Sequence, residues 1–191
     1  DEGKVVQLNP TEMPADATVI DGNNKVLLPG LIDAHGHLLG LGGNLMEVDL
    51  RESDSMQQAA QWVADYAMMH ADQEWIKGRG WNQELWSDRS FPTAAVLDAK
   101  LKNKPVWLTR VDGHAAWVNS KALQMAGIND STPDPAGGQI LRDADGKATG
   151  VLIDHAMDLV SAIMPKDSAS LYAAQLNAAG EHLHSVGITA M

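Results

Sequence analysis

The run Leu28-Pro29-Gly30-Leu31-Ile32-Asp33-Ala34-His35-Gly36-His37 constrains this chain more than any other. Pro29-Gly30 marks a turn, Leu31 to His35 reads as a short apolar strand, and the strand leads into two histidines spaced i, i+2. Side chains two apart on a strand share a face, so both imidazoles are expected on one side of it. Neutral imidazole is the commonest protein ligand for a metal, and two on one face can grip one divalent ion. Gly36 between them has no side chain and allows close approach of a ligand or another backbone. Asp33 lies two residues before His35, on the same expected face. It either orients an imidazole through a hydrogen bond or is an ordinary carboxylate at a strand end. A bare H-x-H also occurs as two structural histidines, so the surrounding sequence has to decide.

That surrounding sequence is extensive. Gly80-Trp81-Asn82, Pro92-Thr93, the block from Trp107 to Ser120 with Asp112-Gly113-His114 at its centre, and Asp134-Pro135-Ala136-Gly137-Gly138 accompany the histidine pair. From about Val19 onward the chain resembles the metal-dependent amidohydrolase superfamily, and within it the subgroup called amidohydrolase family 3. That subgroup includes YtcJ-like proteins, deformylases of N-substituted formamides and relatives of N-acyl-D-amino acid deacylases.

The resemblance implies an α/β fold: the N-terminal piece of a (β/α)8 barrel with flanking β-sandwich strands and a large α/β insertion. It divides the chain into sandwich strands over 1–30, the first barrel strand and its loop over 31–50, a substrate-covering subdomain over 51–165, and a helix with the start of a second barrel strand over 166–191. It also implies hydrolysis of a C–N bond other than a peptide bond, of amide, formamide or N-acyl type, in a small-molecule substrate. A divalent metal, often zinc, would activate the water and polarise the carbonyl. His35 and His37 would be two of its ligands, while the family's other ligands and its catalytic aspartate come from later strands.

A barrel takes about 250 residues, more than the 191 present. The chain is therefore expected to be a fragment, inactive by itself and holding zinc weakly or not at all, because a catalytic zinc site takes three protein ligands and a water. The alternative is a self-standing substrate-covering or interaction module without catalysis. Serine or cysteine hydrolysis is disfavoured, since the chain has no cysteine and no G-x-S-x-G.

Composition narrows the partners. A net charge of -11 and a pI near 4.9 argue against nucleic acid, which calls for a basic patch, and against an anionic membrane surface. No apolar run approaches the ~20 residues of a membrane span. Neither charge nor the lack of cysteine fixes a compartment. Cutting a barrel leaves strand edges open at Leu31-Ile32 and Ile188-Thr189-Ala190, so self-association into a homo-oligomer is expected.

Along the chain, Lys4–Leu8, Thr18–Asp21 and Lys25–Leu28 read as short strands. Gly40, Gly42 and Gly43 read as a flexible rim beside the histidines, not a phosphate loop, because no G-x-G-x-x-G or Gly-Lys-Ser/Thr accompanies them. Residues 55–70 carry apolar positions near helical spacing, Met68 among them as core filling, with Ser53 or Ser55 as cap. Residues 74–80 and 105–109 read as strands, 92–102 as a helix, and Asn119 or Ser120 as the cap of a helix stopping at Gly127. Asp145-Gly146 signals a hairpin between Gln139–Arg142 and Ala148–Ile153, and Ser170–Val186 is an Ala-rich helix.

Beyond the histidine pair, His114 follows an apolar strand, and strand ends are where α/β sites collect. With Asp112 it is expected to face substrate, a structural histidine being the alternative. Trp81, with Trp86, either walls a pocket or packs. His182 and His184 repeat the i, i+2 spacing on a helix, where such positions do not face each other.

Overall fold

The computed structural model describes residues 3–191. Its centre is a six-stranded mixed sheet in the order β2-β3-β4-β5-β7-β6. The strands are β2 (Val48–Asp49), β3 (Ile76–Trp81), β4 (Val106–Arg110), β5 (Ala115–Val118), β6 (Gly138–Arg142) and β7 (Ala148–Asp154). β2, β3 and β4 run parallel, while β5, β7 and β6 join antiparallel.

The alternation of side chains in β5 explains why this sheet has two covered faces. Ala115 and Trp117 enter one apolar cluster and Ala116 and Val118 the other, with Val151 and Leu152 of β7 divided the same way. On the first face lie α2 (Met56–Met69) and α3 (Ala94–Asp98); on the second lie α4 (Ser120–Met125) and α5 (Asp158–Ser161). Ser55 caps α2 by accepting the Gln58 N–H, and the helix buries Met56, Ala59, Ala60, Val63 and Ala67. Met68 and Met69 fall on its outer face and are exposed, so Met68 does not fill the core.

A separate two-stranded parallel sheet pairs β1 (Leu31–Ile32) with β8 (Ile188–Ala190). Two helices join it, α1 (Leu38–Leu45) and α6 (Ala169–Ser185). The expected glycine-rich rim is thus helical, and the reason is close packing. A Cβ on Gly42 would overlap the backbone carbonyl of Gln175, so the two helices approach at a distance only glycine allows.

The other departures have plain causes. Residues 3–30 form no strand and leave Val5, Leu8, Ile20, Val26 and Leu27 exposed. The short β-prone runs find no partner ladder here, and unpaired strands are not stable in water. The first strand stops at Ile32 instead of reaching His35, because Asp33 closes a turn. The helix after Thr93 ends at Asp98, short of Lys102. β1 has β8 as its only strand neighbour, so the described residues do not close a barrel. Among the described residues no helix is long and apolar enough to cross a membrane.

Candidate functional site

The histidine pair sits where β1 gives way to α1. The ladder runs one residue past the strand, with the Asp33 N–H donating to the Ala190 carbonyl at 3.1 Å. The Asp33 carboxylate then accepts the His35 backbone N–H at 3.0 Å and turns the chain. His37 is the residue before the first turn of α1, and its carbonyl accepts the Leu41 N–H. Both histidines therefore lie on a turn rather than on a strand face. They are still neighbours, with ring centroids 5.5 Å apart and planes at 83°. Both residues are exposed.

Two adjacent imidazoles suit a divalent ion that takes nitrogen ligands, so the residues present fit part of such a site. Among the described residues, no group of three or more His, Asp or Glu converges as a metal site. Asp33 is engaged with backbone and makes no hydrogen bond to either ring.

A second polar cluster lies at the ends of β4, β5 and β7. Arg110, the last residue of β4, donates from Nε to the Oε1 of buried Gln83 at 2.8 Å and from Nη1 to the Asp112 carboxylate. Asp112 in turn accepts the His114 N–H at 3.0 Å across Gly113, whose φ of +81° lets the chain turn there. The Nδ1 of His114 lies 2.8 Å from Oδ1 of Asp154. The Asp154 N–H donates back to the His114 carbonyl at 3.0 Å, which fixes both residues to each other.

Asp154 pays conformational strain for this place. Its φ of 46° with ψ of -123° is a combination that L side chains rarely adopt. The Asp154 hydrogen bond and charge, with Asp112 adding, raise the pKa of His114. Burial would raise Asp112, yet the His114 N–H and the Arg110 guanidinium outweigh it and lower that carboxyl. The His114 side chain is 76% exposed, and its Nε2 has no partner among the described residues. An imidazole presented this way, with one nitrogen anchored and the other open, can give or accept a hydrogen bond at a ligand.

Trp81 does something different. It is fully buried, donates from Nε1 to the Leu108 carbonyl at 2.8 Å, and packs with Trp86, Phe91 and Trp117. Of the two roles read for it, packing is the one its ring performs. No hydrogen bond or ring contact links His114 to His35 or His37. His70 stacks on Tyr66 and His155 pairs with Asp158 at 3.1 Å. His182 and His184 lie in the last turn of α6. Sequence reading missed Asp154, Arg110 and Gln83. The Asp154-His155 dipeptide carries no signal by itself, because the partner of Asp154 is 40 residues away.

Comparison with known proteins gives these residues a setting. The model of the amidohydrolase family matches residues 18–191. The chain is 42% identical over 137 residues to the protein LONG AFTER FAR-RED 3 of Arabidopsis thaliana, covering 72% of this chain and 23% of that protein. It is 36% identical over 167 residues to the putative amidohydrolase YtcJ of Bacillus subtilis, covering 87% of this chain and 32% of that protein. The crystal structure of an uncharacterized metal-dependent hydrolase from Pyrococcus horikoshii aligns with a TM-score of 0.60 at 26% identity, over 85% of this chain and 30% of that one. The chain thus spans less than half the length of these relatives, and on the match that takes in nearly all of its residues it belongs to the amidohydrolase family.

Proposed function

We propose that this chain is the N-terminal part of a metal-dependent hydrolase of C–N bonds other than peptide bonds, acting on a small amide, formamide or N-acyl substrate. The observation that carries this reading is the His35–His37 pair, 5.5 Å apart, directly after β1 in a parallel strand pair. A divalent metal held in part by these imidazoles would supply Lewis acidity toward the carbonyl and an acidified water. The chain's own residues do the rest of what it contributes. The Asp33 turn and the α1 N-terminus fix the backbone from which both imidazoles project. Asp154 holds His114 by Nδ1 and leaves Nε2 for a substrate oxygen or nitrogen, while Asp112 and Arg110 brace the turn. The family membership and the hydrolase neighbours support the reaction class.

The two-sided core of the six-stranded sheet supports the reading of a covering subdomain set on the barrel part, with a start earlier than residue 51, since β2 is the sheet's edge strand and Val48 and Leu50 lie in its core. Two imidazoles are fewer than the three protein ligands of a catalytic zinc site. The remaining ligands and the base would come from parts of the whole enzyme that this chain does not include.

The test is direct. Zinc titrated into residues 1–191 should shift the His35 and His37 imidazole resonances in a way that His35→Ala abolishes, and dialysis should remove the metal. N-formyl and N-acyl amines should not be turned over, with or without zinc. Stoichiometric zinc after dialysis, or turnover that disappears in His35→Ala, would overturn the fragment reading. Zinc that leaves both imidazoles unshifted would overturn their role as ligands.

A further inference from the structure

A cleft of about 520 Å³ opens where α1, the start of β3 and the N-terminal half of α6 meet, away from both sites described above. Its walls are partly apolar, from Met46, Trp75, Pro165 and Leu171. Its charged groups are four carboxylates, Glu47, Asp72, Glu74 and Asp167, against two ammonium groups, Lys77 and Lys166. Lys77 is tied to Asp167 at 3.4 Å, so its charge is answered within the cleft. Glu47, Asp72 and Glu74 have no ion-pair partner among the described residues.

Gln175 adds an observation that surface charge cannot supply. It is only 9% exposed, lines the cleft from α6, and makes no side-chain hydrogen bond among the described residues. Its carboxamide lies beside Gly43, another wall residue, where a Cβ would come within 3.6 Å of Nε2. No buried side-chain nitrogen or oxygen among the described residues lacks a partner, so the Gln175 amide atoms themselves reach open space, and their hydrogen-bonding capacity is available to whatever fills the cleft. Glu47, on the same cleft wall, is half-buried. Burial raises its pKa, with Asp167 adding and Lys77 and Arg79 opposing, and its carboxylate accepts no side-chain hydrogen bond.

We propose that this cleft binds a small organic cation with an aliphatic stem, of the primary alkylamine or diamine class. The stem would lie along Met46, Trp75 and Leu171. The ammonium would meet the Glu47 carboxylate and donate to the Gln175 carboxamide oxygen. An anion would face an excess of carboxylates. A bare metal ion finds no converging group of three ligands among the described residues, and the space exceeds one coordination shell. A wholly neutral apolar ligand would leave both Glu47 and Gln175 unanswered.

The site is independent of the hydrolase reading and is tested on this chain alone. n-Butylamine and 1,4-diaminobutane are titrated against labelled protein by NMR, with butyrate and n-butanol as matched probes. Saturable shifts are expected for the amines at the Gly43 amide, the Trp75 indole and the Gln175 side-chain amide, with butyrate and butanol much weaker. Glu47→Gln and Gln175→Leu should each weaken amine binding about tenfold, the usual scale for a lost hydrogen bond to a charged group. Gln175→Glu should strengthen it, which guards against loss through misfolding. Butanol or butyrate binding as well as the amines would sink the proposal. So would amine shifts that do not saturate, or unchanged affinity in folded Glu47→Gln and Gln175→Leu.

Discussion

At the residue scale, Asp154 is where backbone strain and side-chain chemistry meet. Its positive φ costs on the order of 1–3 kcal/mol for a non-glycine residue, and its return is the bond to His114 Nδ1. Asp154→Asn should keep the shape, lose the charge, and bring the His114 pKa down toward the ordinary histidine range, read by NMR titration. Asp154→Gly should lower it as well while relieving the strain, so its melting temperature should exceed that of Asp154→Asn. A His114 titration unchanged in both variants would show that Asp154 does not set it.

The sign for stability follows from the raised value in the folded state. The pair contributes below His114's unfolded pKa of about 6.5, and that contribution is lost as pH rises through the raised folded value. The melting difference between wild type and Asp154→Asn should therefore shrink on the alkaline side. What sequence reading could reach at this scale was local. His35, His37 and Asp33 lie within five residues, and their proximity follows from spacing, whereas the Asp154–His114 bond needs β5 and β7 to pair first.

At the element scale, most of the six-stranded sheet and its helices was legible, because its segments carry their own signals. Ser55, Asn119 and Asp145-Gly146 mark two helix starts and a hairpin where the structure has them. The glycines of α1 were not legible, since a helix made from Gly40, Gly42 and Gly43 is justified only by what lies against it. Gly42→Ala would ordinarily favour a helix by about 1 kcal/mol. Here it should lower the melting temperature, because the new Cβ meets the Gln175 backbone and α6 has to move. A stabilised Gly42→Ala would contradict the packing.

Asn119 does more than cap α4. It is fully buried, its Oδ1 accepts the N–H groups of Ala122 and Val106, and its Nδ2 donates to the carbonyls of Leu101 and Lys104. One amide thus ties α4, β4 and the loop before β4. Asn119→Ala leaves these four backbone groups without their partner, and at about 1 kcal/mol or more for each unsatisfied group it should cost roughly 4 kcal/mol in denaturant unfolding. A loss within about 1 kcal/mol would mean that water replaces the amide.

At the scale of the whole molecule, the two parts differ in how well they bury their apolar surface. The six-stranded sheet is covered on both faces, and four tryptophans, Trp75, Trp81, Trp86 and Trp117, are buried in its two clusters. The part built on β1 and β8 is not covered: Leu31 and Ile32 are exposed, as are Val5, Val6, Leu8, Val19, Ile20, Val26 and Leu27 before them, the last at 96%. Single exposed apolar residues are ordinary, but a run of them beside a strand with one neighbour offers both apolar area and open backbone groups. The net charge of -11 opposes association at low ionic strength and is screened by salt. We therefore expect residues 1–191 to self-associate through the β1 side, more strongly at higher salt, while the sheet subdomain stays folded. Light scattering over a dilution series at two salt concentrations should show a mass above that of the 20.5 kDa chain that falls on dilution and rises with salt. Ile32→Lys and Leu27→Lys should reduce it without changing the indole signals of the buried tryptophans. A monomer mass at high concentration and high salt would place the apolar run against this same chain instead.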